Sequence, residues 1–149
     1  MGQSTDGILA FGVPLEDGES PWADAGFDEF EDWVMDASGL KEPPAPKDWN
    51  NRTEAEKKVW SSFWVAKREA LEEFGVTLEN YCSGDYPMWA LVATGSVTTA
   101  NRGCPRDIDV DKILRDTDGH REAFQRGCEK LGLRLPGEPR WLLMSYWSY

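Results

Sequence analysis

Asp24, Asp28, Asp32 and Asp36 recur at every fourth residue, and Glu16, Asp17, Glu19, Glu29 and Glu31 crowd the same stretch. Carboxylates at that density offer two kinds of chemistry. They can present a one-signed field that attracts cationic surfaces and repels nucleic acid, or they can hold a metal ion. A calcium loop needs a glycine at its sharp turn and a terminal bidentate glutamate, and this stretch lacks that order. On a helix, Asp24 to Asp36 would cover about 18 Å. Its six acids then give about one charge per 3 Å, near the ~3.4 Å spacing along one DNA strand. Such a face could occupy a groove built for a nucleic-acid backbone. The plainer alternative is a solvated surface helix, with Lys57, Lys58 or Arg102 neutralising it on folding.

The remaining chemistry is sparser. Asp107, Asp109 and Asp111 begin like a calcium loop, but Lys112 stands at the glycine position and Asp118 at the final glutamate position. Loop and cap roles suit them better. Cys82 with His120 as base and Asp85 as orienter is the one thiol arrangement to consider, and a catalytic thiolate needs such a neighbour. The plain alternatives are a tight turn at Cys82 and Asp85, and a half-buried histidine on an apolar stripe with Phe124, Cys128 and Leu131. Cys82, Cys104 and Cys128 have no Cys-x-x-Cys pair, so they read as free thiols rather than a zinc site. Arg102 and Arg106 flank Gly103-Cys104-Pro105 in a polar loop that could hold a phosphate, though two arginines without a patch are a weak signal. No phosphate loop or dinucleotide fingerprint is present. The chain is expected to be non-enzymatic, with no catalytic residue, no cofactor and no bound metal.

The elements that must position these residues follow from pattern. The first 40 residues hold ten acids and no Lys or Arg, while the other 109 hold 17 acids and 16 bases, so the net charge of -11 is concentrated in one quarter. Eight Trp, six Phe and four Tyr argue for a folded core rather than an acidic tail. We expect one domain over 1–149, its acidic part at about 1–40 joined by a Pro-rich connector at about 41–52. After a turn at Ser4–Gly7, Ile8–Val13 reads as a buried strand, followed by a polar loop from Leu15 to Pro21. Asp24–Ala37 reads as an amphipathic helix with Phe27, Phe30, Trp33, Val34 and Ala37 on its apolar stripe.

Thr53 and Glu56 form a capping box for a helix that buries Trp60, Phe63, Trp64, Leu71 and Phe74, with Lys67 snorkelling. Val76–Tyr81 and Met88–Thr94 read as a hairpin, and Gly95–Arg106 as a long polar loop. Asp109 and Thr117 are each expected to cap a helix, the first ending at Leu114 and the second at Leu131 before Gly132. Leu133–Leu135 and Trp141–Trp147 complete the strands. The last is either a central strand or an edge that offers Trp147 and Tyr149 to a partner or dimer. The fold class is α+β, a mainly antiparallel sheet of about four or five strands packed against about three or four helices. No run approaches the ~20 apolar residues of a membrane span. With no signal peptide visible, the expectation is a cytoplasmic protein.

Three segments, Ser4-Thr5-Asp6-Gly7-Ile8-Leu9-Ala10-Phe11-Gly12, Asn80-Tyr81-Cys82-Ser83-Gly84-Asp85-Tyr86-Pro87-Met88 and Gly137-Glu138-Pro139-Arg140-Trp141, resemble small acidic proteins of tailed bacteriophages. The resemblance implies no catalytic residue. It implies a host-cell setting and a protein partner, since such proteins include inhibitors of CRISPR and restriction systems. The expected function is therefore a phage-encoded, protein-binding inhibitor of a host defence or nucleic-acid-binding protein. Its acidic face, resembling DNA, would meet a basic surface of that partner. The alternative is a non-catalytic phage accessory or structural module that self-associates through aromatic surface. Neither reading calls for direct nucleic-acid binding or a membrane.

Overall fold

The computed structural model describes residues 4–135 and 137–148. The chain runs β1 (Ser4–Pro14), α1 (Pro21–Asp24), α2 (Phe30–Ala37), α3 (Glu54–Glu73), β2 (Val76–Ser83), β3 (Pro87–Ala93), a 3-10 turn (Thr94–Ser96), β4 (Thr98–Ala100), α4 (Val110–Leu131) and β5 (Arg140–Ser148). The fold is α+β.

β1 organises the sheet. One edge pairs antiparallel with β5 from Ser4 opposite Ser148 to Gly12 opposite Arg140. The other edge serves β4 at Gly7–Leu9 and then β3 at Gly12–Pro14. The β2–β3 hairpin joins β5 through one short parallel contact, Cys82 opposite Tyr146 and Ser83 opposite Trp147. The pairings thus form a circuit from β1 through β3, β2 and β5 back to β1, with β4 attached outside it. The sheet is mixed, with this single parallel pairing among antiparallel ones. β5 is no edge strand over its last residues, since Trp147 lies opposite Thr5 on one side and Ser83 on the other. Tyr149 lies outside the described residues.

Alternation along the strands builds two cores. Val13, Val76, Leu91 and Ala93 face α2 and α4, meeting Phe30, Trp33, Val34, Phe124, Cys128 and Leu131. Ile8, Ala10, Ala90, Val92 and Met144 form a second cluster on the opposite face. Residues from the acidic quarter are therefore built into the same core as those from the balanced remainder. A third cluster, Met35, Trp60 and Phe63 with Leu40 beside it, ties α3 to α2.

Several expectations need correction. The acidic helix expected over Asp24–Ala37 forms only from Phe30 to Ala37, and its first part is broken. Gly26 takes a left-handed φ of 90° after α1, Glu29 is extended, and α2 starts only at Phe30. The physical cause is legible: aspartates four apart repel by about 0.2–0.5 kcal/mol per pair on a helix, and a glycine sits where the chain can turn away. Residues 4–7 are strand, not turn, and Leu15 is buried although its loop is acidic. Ala37 and Trp64 are exposed, Trp64 by 50%, and Leu71 is half-buried rather than buried. The expected loop over 95–106 contains β4. One helix replaces the two expected over 109–131: Asp109 caps it, but Thr117 lies inside it, its hydroxyl donating to Ile113 O at 2.7 Å. Leu133–Leu135 is not a strand.

Gly12 is where β1 meets β5 and β3 together. A Cβ there would collide with the Leu91 carbonyl oxygen and lie 2.7 Å from Val92 Cα, both backbone groups that cannot yield. Gly12→Ala is expected to lower the unfolding free energy by roughly 3 kcal/mol or more. Urea denaturation checks this; an unchanged midpoint would contradict the closed pairing.

Candidate functional site

The acidic segment is held down by aromatic rings. Pro21 starts α1 and places Trp22 edge-on to both Phe30 and Trp89, at centroid distances of 6.4 and 6.2 Å. Phe27 stacks on Trp33 at 6.3 Å, and Phe30, Trp33 and Val34 enter the core. With the apolar side chains turned inward, the acids are left outside. Glu16, Asp17, Glu19, Asp24, Asp28, Glu29, Glu31 and Asp36 are exposed, and Asp32 is half-exposed.

Folding neutralises one of these nine. Glu31 pairs with Lys67 of α3 at 2.8 Å, and the Lys67 ammonium also lies 5.3 Å from the centre of the Trp64 ring. Lys67 thus reaches an acid instead of only snorkelling. The other eight make no ion pair among the described residues. Glu19 is partly occupied, its carboxylate accepting from the Glu16 backbone N–H at 2.9 Å.

Two apolar grooves carry these acids on their rims. One, of about 380 Å³, is lined by Trp22, Phe30, Leu78 and Trp89 with Asp28, Glu29 and Glu31. The other, of about 510 Å³, has Phe27, Trp33, Leu131 and Leu133 with Glu19, Asp24 and Arg134. The grooves were not foreseeable from charge alone. The signal for them was the interleaving of Trp22, Phe27, Phe30 and Trp33 with the acids.

A third groove, of about 280 Å³, lies between the first half of α4 and the β1–β4 side of the sheet. His120 sits there against Phe11 and Trp141, at ring distances of 6.5 and 5.7 Å. Burial lowers the His120 pKa from its usual 6.5, Lys112 adding to the effect and Asp116 opposing it. Lys112 bonds Asp116 at 2.6 Å, which holds that carboxyl below its ordinary value. The Asp109 carboxylate accepts from the Lys112 N–H at 3.0 Å, so it serves as a helix cap. Among the described residues no three His, Cys, Asp or Glu side chains converge as a metal site. Ser96 lines the groove but its hydroxyl is committed, donating to Ala93 O at 2.6 Å and accepting from Phe11 N–H at 2.9 Å.

Cys82 and His120 are not brought together. Cys82 is in register with Tyr146, while His120 packs on Trp141. Those positions are five strand steps apart, about 17 Å at the usual rise. Cys82 instead turns the chain, with φ at 73°, and Ser83 Oγ accepts from Tyr86 N–H across the hairpin. Cys104 is exposed, and Cys128 is buried with its thiol pushed up to about 12, mainly by desolvation. At the loop of Arg102 and Arg106, the Arg102 backbone N–H donates to Asp6 Oδ1 and the Arg106 guanidinium to Thr99 O.

Fold and site define an α+β protein whose acidic segment, Glu31 apart, makes no ion pair among the described residues and is bordered by apolar grooves. No family model, curated protein or solved structure matches the chain.

The His120 environment has a measurable consequence. On acidification the unfolded chain protonates this imidazole before the folded one does. Its contribution to stability is therefore complete above about 6.5 and is lost as pH falls towards the lowered folded-state value. Thermal unfolding of wild type and His120→Gln, from pH 7.5 down to 5, is expected to show a shallower acid-side loss in the variant. Parallel curves would contradict this assignment.

Proposed function

We propose that this chain is a phage-encoded inhibitor that binds a basic, nucleic-acid-binding host protein through the acidic segment. The observation that carries the reading is the state of the acids after folding: of nine candidates, only Glu31 is paired with a cation among the described residues. Uncompensated like charge costs stability through self-repulsion, so a segment that keeps it gains nothing for the fold. A cationic partner removes that repulsion on binding. The partner class follows from sign and shape together. Asp28 and Glu29 rim a groove floored by Trp22 and Trp89, and Glu19 and Asp24 border a second. Lysine or arginine side chains with neighbouring apolar groups complement both.

The acidic patch is not the evenly spaced rod expected from one long helix. Its charges spread over the 15–20 loop, α1, the turn at Gly26 and α2. The inhibitor would therefore compete with nucleic acid for a basic surface by charge and contour, without reproducing the spacing of a single strand. Phage context rests on the resemblance at both chain ends and the hairpin.

Asp24→Asn/Asp28→Asn/Asp36→Asn removes three unpaired charges and touches no hydrogen bond or ion pair among the described residues. Wild type is expected to capture a nucleic-acid-binding protein from host lysate, with capture weakened by salt and by added DNA. The triple variant is expected to lose at least about tenfold in affinity, chiefly through slower association, with an unchanged or higher melting temperature. Equal binding by wild type and variant would remove the electrostatic reading.

A further inference from the structure

α3 is 20 residues long, about 30 Å, yet only Trp60 and Phe63 are buried within its span. Helices of folded proteins owe most of their stability to packing of an apolar face. Here the helix is anchored to α2 on one side, while the other carries only the connector at its edge, Trp49 lying 4.7 Å from Trp60 and Arg52 beside the groove of Lys57, Ser61, Trp64 and Arg68. That other side is not simply polar. Lys57, Ser61, Trp64, Val65, Arg68 and Glu72 are all exposed, and their spacing of three and four residues sets them along one face. Trp64 is 50% and Val65 41% exposed. The Trp64 ring is held in place by Trp60 and Phe63, at 5.9 and 5.4 Å. It is a pre-positioned anchor, which reduces the ordering cost of binding.

We propose that this face is the interface of a homodimer, in which α3 packs antiparallel against α3 of a second copy about a two-fold axis between Trp64 and Val65. The sequence is self-complementary in that register. Trp64 faces Val65 of the second copy, small Ser61 makes room opposite Arg68, and Lys57 meets Glu72. Symmetry gives every pair twice, as an isologous interface requires. Neighbouring registers fail. Sliding one turn in one direction sets Lys57 against Arg68, and one turn in the other moves Lys57 beyond the end of the opposing helix. The existing Lys57–Glu54 contact, 2.8 Å long with side chains 53% and 90% exposed, is a solvated pair that holds the ammonium only weakly. This inference is separate from the acidic segment, which belongs to other elements and keeps its surface whether the chain is single or paired.

Sedimentation equilibrium over a wide concentration range tests it, with circular dichroism verifying the fold of each variant. The wild-type mass is expected to rise from 16.8 kDa towards twice that value. Lys57→Glu and Glu72→Lys each set like charges against each other at two places and should raise the dissociation constant roughly tenfold or more. The double exchange Lys57→Glu/Glu72→Lys should restore dimerisation to within about threefold of wild type. Trp64→Glu should leave a folded monomer. A wild-type mass of one chain at every concentration overturns the proposal. So does a dimer indifferent to the single reversals, or a double exchange that remains dissociated.

Discussion

β1 has to satisfy three partners along eleven residues, and the rest of the fold depends on how it does so. One edge belongs to β5 from Ser4 to Gly12, while the other is divided between β4 and β3. That division bends the sheet until the β2–β3 hairpin can reach β5 from the far side. Gly12 is the point of closest approach, where a side chain would occupy the space of the Leu91 carbonyl. Once the circuit closes, the inner-facing residues pack on one another and the other face is left for helices. α4 and α2 cover it. Everything attached to α2, including the acidic segment and α3, inherits its position from that closure.

The acidic segment illustrates a conflict settled by magnitude. A continuous helix would align three aspartate pairs, each costing a few tenths of a kcal/mol, with no base within the segment to offset them. Burying an aromatic side chain contributes about 1.5–3 kcal/mol. Trp22, Phe30 and Trp33 therefore determine the path of the chain, and the charges accommodate it. Breaking the helix at Gly26 lets Trp22 and Phe30 meet edge-on while the neighbouring carboxylates separate into solvent.

What the sequence reveals divides along the same line. The capping box of Thr53 and Glu56 forms with both of its hydrogen bonds, Asp109 caps α4, and Gly132 ends it in the left-handed conformation. Each of these signals operates over three or four residues, so it is readable without knowing the fold. Thr117 was misleading because a threonine cap and a threonine bonded back to the preceding turn look alike in sequence. Its role was decided by a residue far along the chain, Trp141, whose indole N–H donates to its hydroxyl at 3.1 Å. β4 is three residues long and exists only because β1 has a free edge beside it. The acids of the candidate site were legible by composition. The grooves beside them required Trp89 and Leu78 from the hairpin, and no local pattern joins those to Trp22.

Lys67 shows how the two halves of the charge distribution are coupled. It lies on the inward flank of α3, 17% exposed, with its ammonium against Glu31 and over the Trp64 ring. A partly desolvated cation there needs an anion, and α2 supplies it. The same lysine orients Trp64 from below by cation–π attraction. One side chain thus adds to the Met35–Trp60–Phe63 packing that joins α3 to α2, and to the contacts of Trp60 and Phe63 with the exposed indole. Charge left on the segment and apolar surface left on α3 are therefore consequences of one packing arrangement. Removing the unpaired carboxylates would leave the Lys67–Glu31 pair intact, because none of them takes part in it, whereas replacing Trp64 would keep that pair and lose the cation–π contact.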